Sequence, residues 1–116
     1  MKKLFFTFAI LFSGFVFAQN IEPKLEVVGQ LVKATYYYDN GKIQQEGFFK
    51  DGKLDGKWIS YEESGAVKAV AEFTNGEKTG KWSFYSNGVA SNEVSYSNNQ
   101  IASVINLKGN VIADKN

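Results

Sequence analysis

Asp51-Gly52-Lys53-Leu54-Asp55-Gly56-Lys57-Trp58 recurs as Asn75-Gly76-Glu77-Lys78-Thr79-Gly80-Lys81-Trp82, a step of 24 residues. A period in this range marks an array of stacked supersecondary units, and it takes precedence over any local reading of structure. Tyr38-Asp39-Asn40-Gly41, ahead of the first copy, returns between the copies as Tyr61-Glu62-Glu63-Ser64-Gly65 and after the second as Tyr85-Ser86-Asn87-Gly88. Phe49, Phe73 and Tyr96 keep the same register, and the third copy decays after Asn98-Asn99, where asparagine takes the glycine slot. Asparagine is among the few residues that tolerate a positive φ there.

Within a copy the pattern is strand, turn, strand. Ile43, Gln45, Gly47 and Phe49 alternate against Gln44, Glu46 and Phe48, and Val67, Ala69, Ala71 and Phe73 against Lys68, Val70 and Glu72. Period two over seven residues predicts half-buried strands. Asn40-Gly41, Asp51-Gly52, Asn75-Gly76 and Asn87-Gly88 are dipeptides that supply positive φ at tight hairpin turns, and Gly65 takes the same role in the intervening copy. The expectation is an all-β, antiparallel meander of stacked hairpins.

Counting side-chain parity exposes a conflict. A two-residue turn at Asp51-Gly52 sets Leu54 and Trp58 on the face of Phe49, whereas pairing Tyr61 with Val67 sets Tyr61 and Ile59 on the face of Phe73. One core face for all repeats requires an extra residue, expected between Gly52 and Trp58, with Gly56 and its repeat Gly80 as bulge or loop ends. Gly47 and Ala71, two residues before Phe49 and Phe73, are expected to stay small beneath a neighbouring aromatic ring.

The stretch Gly47-Phe48-Phe49-Lys50-Asp51-Gly52-Lys53-Leu54-Asp55-Gly56-Lys57-Trp58 resembles the MORN repeat, in particular the variant repeats of bacterial YwqK-type antitoxin-like proteins. The resemblance spans about Tyr36 to Ile101. It implies an extended single-layer sheet of hairpins serving as a protein-binding or membrane-proximal platform, and an antitoxin-like role as a second reading. The repeats of that family often have His where this chain has Asp55 and Thr79.

The 116 residues are 44% apolar and 22% charged, ordinary values for one globular domain. Lys2 and Lys3 followed by an apolar run from Leu4 to Phe17, with Ala18 at its end, read as a signal peptide over residues 1–18. The run is too short for the ~20 residues a spanning helix needs. The expected organisation is a signal peptide at 1–18, capping strands at 19–35, repeats at 36–101, and a capping strand and tail at 102–116. Gly29 and Gly109 are the expected turn residues of the degenerate end repeats. The expected location is the periplasm or the outside, with no transmembrane span after cleavage.

Beyond residue 18 there are eleven lysines against twelve acidic residues. That balance gives no long-range field for collecting nucleic acid. The chain has no histidine and no cysteine, so the usual transition-metal ligands and thiol or imidazole catalysts are missing. Glu62 and Glu63 are adjacent, and in a strand they would point to opposite faces, unable to flank one bond. A nicotinate mononucleotide adenylyltransferase is a further, disfavoured alternative: such an enzyme resembles a nucleotide-binding α/β fold with a His-x-Gly-His motif, and neither is legible here. No catalytic residue, cofactor or metal site is assigned.

The candidate binding face is the aromatic and lysine row Trp58, Trp82, Tyr61, Tyr85, Lys57 and Lys81. Two strands per repeat place its members about 9 to 10 Å apart, at ~4.8 Å per strand, a spacing suited to a peptide or glycan. The alternative weighed for the tryptophans is a repeat core. The function expected is a non-enzymatic interaction or scaffold module with a protein or glycan partner, and the sheet's free edges leave edge-to-edge self-association open.

Overall fold

The computed structural model describes residues 21–107, and residues 110–114 as backbone. The signal-peptide reading and the turn at Gly109 lie outside the described residues. The fold is all-β, with no helix among the described residues. Its strands are β1 (Lys24–Val28), β2 (Leu31–Tyr37), β3 (Ile43–Lys50), β4 (Lys53–Tyr61), β5 (Val67–Thr74), β6 (Glu77–Lys78), β7 (Gly80–Ser86), β8 (Val89–Ser97), β9 (Gln100–Asn106) and β10 (Asn110–Asp114). They form one antiparallel meander, each strand beside its sequence neighbour, with the two-residue β6 pairing β5 ahead of β7.

One end of the sheet carries tight two-residue turns. Asp51-Gly52 (φ 52° and 79°), Asn75-Gly76 (51° and 85°) and Asn98-Asn99 (53° and 66°) have both central residues in the left-handed region, the type I′ geometry whose twist matches that of the strands. Successive turns are laced together there. The Gly76 N–H donates to the Leu54 carbonyl oxygen at 2.8 Å, and one repeat on the Asn99 N–H donates to that of Lys78 at 3.1 Å. Side chains add to it: Asn75 N–H donates to Asp55 Oδ1 and Lys78 N–H to Asn99 Oδ1.

The extra residue that reconciles the repeats is not where the parity count places it. At Gly56 the β3–β4 register slips by two residues, from Phe48↔Asp55 to Glu46↔Ile59, and at Gly80 the β5 pairing slips by two from β6 to β7. Both glycines have positive φ, yet a slip of two leaves every side chain on its original face. The one-residue offset lies at the opposite end of each hairpin. Tyr37, Tyr61 and Tyr85 each face two residues of the next strand, so Gln44, Lys68 and Ser91 are the bulge residues.

With parity restored there, one face collects the core. Ala34, Tyr36, Phe49, Leu54, Trp58, Ala71, Phe73 and Trp82 are buried together, with Val32, Phe84, Val94 and Tyr96 packed against them. Trp58 is the hub of the first half, edge-on to Phe49 at 5.1 Å between centroids and tilted on Tyr36 at 6.5 Å. Trp82 repeats this with Phe73 at 5.2 Å and Tyr96 at 4.9 Å. Each indole N–H donates to a carbonyl of the preceding strand, Trp58 to Phe48 at 2.9 Å and Trp82 to Glu72 at 3.0 Å. The Trp58 ring lies directly over Gly47, where a Cβ would overlap its Cγ, Cδ2 and Cε2.

Candidate functional site

The bulges sit beside two longer loops that have one construction. In the first, Tyr38 N–H donates to the Lys42 carbonyl at 2.8 Å and Gly41 N–H to the Tyr38 carbonyl at 2.9 Å; in the second, Glu62 donates to Ala66 and Gly65 to Glu62 at the same distances. Tyr38 is therefore equivalent to Glu62, and Tyr37 to Tyr61, one position away from the alignment of Tyr38 with Tyr61 that the sequence suggests. In the first loop only Gly41 has a positive φ; Asn40 does not, because this is no two-residue turn. Its Oδ1 instead accepts the Lys42 N–H at 2.9 Å.

Between the loops is a cleft of about 400 Å³. It is lined by Tyr38, Glu62 and Glu63 from the loops, by the bulge residues Gln44 and Lys68, and by Gln45, Ser60 and Tyr61 from the strands. Gln45 and Ser60 are buried. The Tyr38 hydroxyl donates to the Tyr61 carbonyl at 2.6 Å and ties the first loop across to β4. Partial burial pushes the Tyr38 phenol above its ordinary range, with the carboxylates of Glu62 and Glu63 adding to the shift. Those two glutamates belong to the loop, not to a strand, so strand alternation does not separate them and both line the cleft.

The six-residue candidate face divides between the two sides of the sheet. Trp58 is fully buried and Trp82 is 6% exposed, so neither offers an open ring for stacking; they are the repeat core. Lys78 closes Trp82 further, its Nζ 5.5 Å from the indole centroid and 5.3 Å from that of Tyr96. Lys57, Tyr61, Lys81 and Tyr85 alternate with the tryptophans and point to the opposite side. There the Tyr61 hydroxyl donates to Glu46 Oε2 at 2.6 Å while Lys33 Nζ approaches Oε1 at 3.9 Å. Burial first, then the bond and charge of Glu46, push the Tyr61 phenol up to about 12. Lys81 pairs with Glu93 at 3.6 Å, and half-buried Phe48, Ile59 and Val70 lie between these polar groups.

Chemically, the lining residues carry two phenols, a hydroxyl, two carboxylates, two amides and one ammonium group, a set that can satisfy a polar partner with hydrogen bonds. Tyr38, Gln44 and Lys68 escaped the sequence reading because a bulge carries no residue signature. The spacing gives no trace of it either, since Tyr37 to Tyr61, Gly41 to Gly65 and Gln44 to Lys68 are all 24 residues.

No curated protein and no solved structure matches the chain. Two adjacent stretches, residues 30–51 spanning the β2–β3 hairpin and residues 54–75 spanning the β4–β5 hairpin, each match the family model of the MORN repeat variant.

Proposed function

We propose that the chain is an exported, non-enzymatic interaction module whose protein or glycan partner is bound in the cleft between loops 38–42 and 62–66. Repeats of the MORN type are generally protein- or membrane-interaction modules. The observation that carries the reading is the shared backbone bonding of the two loops, which holds a polar cleft open at the end of the sheet. The aromatic face is consumed by its own core, whereas this cleft is a concave, polar surface on a rigid frame.

The test is capture of partners from the envelope and culture fluid of the source organism, followed by titration of each partner against Glu62→Lys/Glu63→Lys. Binding should weaken at least tenfold with an unchanged circular dichroism spectrum. Undiminished binding would remove the cleft from consideration and turn attention to the side bearing Phe48, Ile59 and Val70. Capture of a cytoplasmic toxin by the unprocessed chain would favour the antitoxin-like reading.

A further inference from the structure

Strand β1 pairs only with β2, leaving its outer side as a sheet edge among the described residues. Its sequence is Lys24-Leu25-Glu26-Val27-Val28, and Leu25, Val27 and Val28 are 44%, 80% and 49% exposed. The hairpin register fixes which backbone groups are spare. Val28 and Leu31 close the two-residue turn at Gly29-Gln30, so Val28, Glu26 and Lys24 direct their N–H and C=O groups to β2. Leu25 and Val27 therefore direct theirs outward.

We infer that β1 is the contact strand of a symmetric homodimer, pairing antiparallel with β1 of a second copy about Leu25. In this register Leu25 faces its own counterpart and exchanges two hydrogen bonds with it. Val27 faces the partner's Pro23, and its N–H donates to that carbonyl in both directions; a proline lacks only the donor. On the other side of the strand Lys24 faces the partner's Glu26, and Glu26 the partner's Lys24.

Charge selects this register over its neighbour. Within one chain Lys24 Nζ and Glu26 Oε2 are 2.8 Å apart, and that bond holds the Glu26 carboxyl below its usual range. Pairing centred on Glu26 would use the same outward groups of Leu25 and Val27 but set two carboxylates directly opposite, which is unfavourable. Pairing about Leu25 turns each intrachain pair into a crossed set of four alternating charges. The dimer is closed, because both copies use the same strand on the two-fold axis, and it shares no residue with the cleft, so it stands or falls apart from the proposed function.

The experiment is sedimentation velocity at low ionic strength on the full chain, purified as the cell processes it, at concentrations up to roughly 1 mM, the range of a small interface. The wild type should show a concentration-dependent dimer. Lys24→Glu makes the strand all acidic and Glu26→Lys makes it all basic, so each variant alone should self-associate roughly tenfold more weakly. Mixing the two should restore a dimer, since every cross-strand pair is then opposite in sign. The absence of cysteine adds a second readout: Leu25→Cys should form a disulfide-linked dimer on mild oxidation, whereas Glu26→Cys should cross-link only when mixed with Lys24→Cys. A wild type that stays monomeric, variants that associate as well as it does, or Glu26→Cys cross-linking by itself would each overturn the proposal.

Discussion

A methyl group added at Gly47 probes whether the tryptophan ladder is a rigid core or an adaptable surface. The Gly47→Ala Cβ would sit within the Trp58 ring, far inside the 3.0 Å that real Cβ atoms keep. The ring has little room to retreat. It is fully buried, it meets Phe49 edge-on, and its N–H is held by the Phe48 carbonyl one residue from the mutation. Overpacking of this kind costs about 1–3 kcal/mol, and displacing the indole from its acceptor about 1 kcal/mol more. Against this stands a gain of about 0.4–1 kcal/mol from the restricted unfolded chain. The net expectation is a loss of about 1–3 kcal/mol, at roughly 4–8 °C of Tm per kcal/mol for a domain of this size. Urea unfolding followed by circular dichroism measures it, and exchange of the Trp58 indole proton should accelerate in the native state. The equivalent site already holds Ala71 beneath the next repeat, so Ala71→Leu is the matching variant, again about 1–3 kcal/mol. A Gly47→Ala midpoint equal to or above wild type would refute the packing argument, since only the chain-entropy term would remain.

Asn99→Ala should cost about 1–2 kcal/mol, because it removes the acceptor of the Lys78 N–H and leaves an alanine at φ 66°; Asn99→Gly, which keeps the φ freedom, should cost less in the same denaturation assay. Burial holds the Tyr36 and Tyr61 phenols at about 12 in the fold, against about 10 when unfolded. The native state therefore binds more protons between those values, so stability is retained below pH ~10 and falls from there toward ~12; Tyr61→Phe should flatten that alkaline slope in pH-dependent unfolding. Mass spectrometry of the native protein should find Gln19, or its pyroglutamate form, at the N-terminus; the intact Met1 form in the cytosol would instead favour the antitoxin-like reading.

The meander was legible because its determinants are local. Asp51-Gly52, Asn75-Gly76 and Asn87-Gly88 specify turns by backbone sterics alone, and the alternation from Ile43 to Phe49 and from Val67 to Phe73 specifies strands by burial alone. Even the smallness of Gly47 could be read, since a repeat that places Trp58 one strand away leaves no other use for the gap. The parity conflict was legible as well, but not its solution. Gly56 and Gly80 advertise themselves through composition, whereas the residues that absorb the extra position, Gln44, Lys68 and Ser91, have no chemistry in common. What they share is a place opposite Tyr37, Tyr61 and Tyr85, and a bulge is a property of the strand pair rather than of either strand.

The candidate face came apart for a simpler reason. Grouping the repeat-equivalent tryptophans, tyrosines and lysines put chain neighbours such as Lys57 and Trp58 into one row, although strand alternation sends them to opposite faces. Once the offset is moved beyond Ser60, Trp58 and Ser60 fall on the core side while Lys57 and Tyr61 fall on the other. The bulge that protects the core also opens the sheet locally, since Gln44 and Lys68 lie where the ladder is broken and both line the cleft. Core formation and site formation are therefore linked. Deleting Lys68 to regularise the ladder would leave Val67 and the loop residues Glu62 and Glu63 out of phase with Ala69, Ala71 and Phe73, because a one-residue slip exchanges the faces of a strand. Either the loop reverses its presentation or Ala69, Ala71 and Phe73 leave the core, and the second outcome would appear as loss of cooperative unfolding.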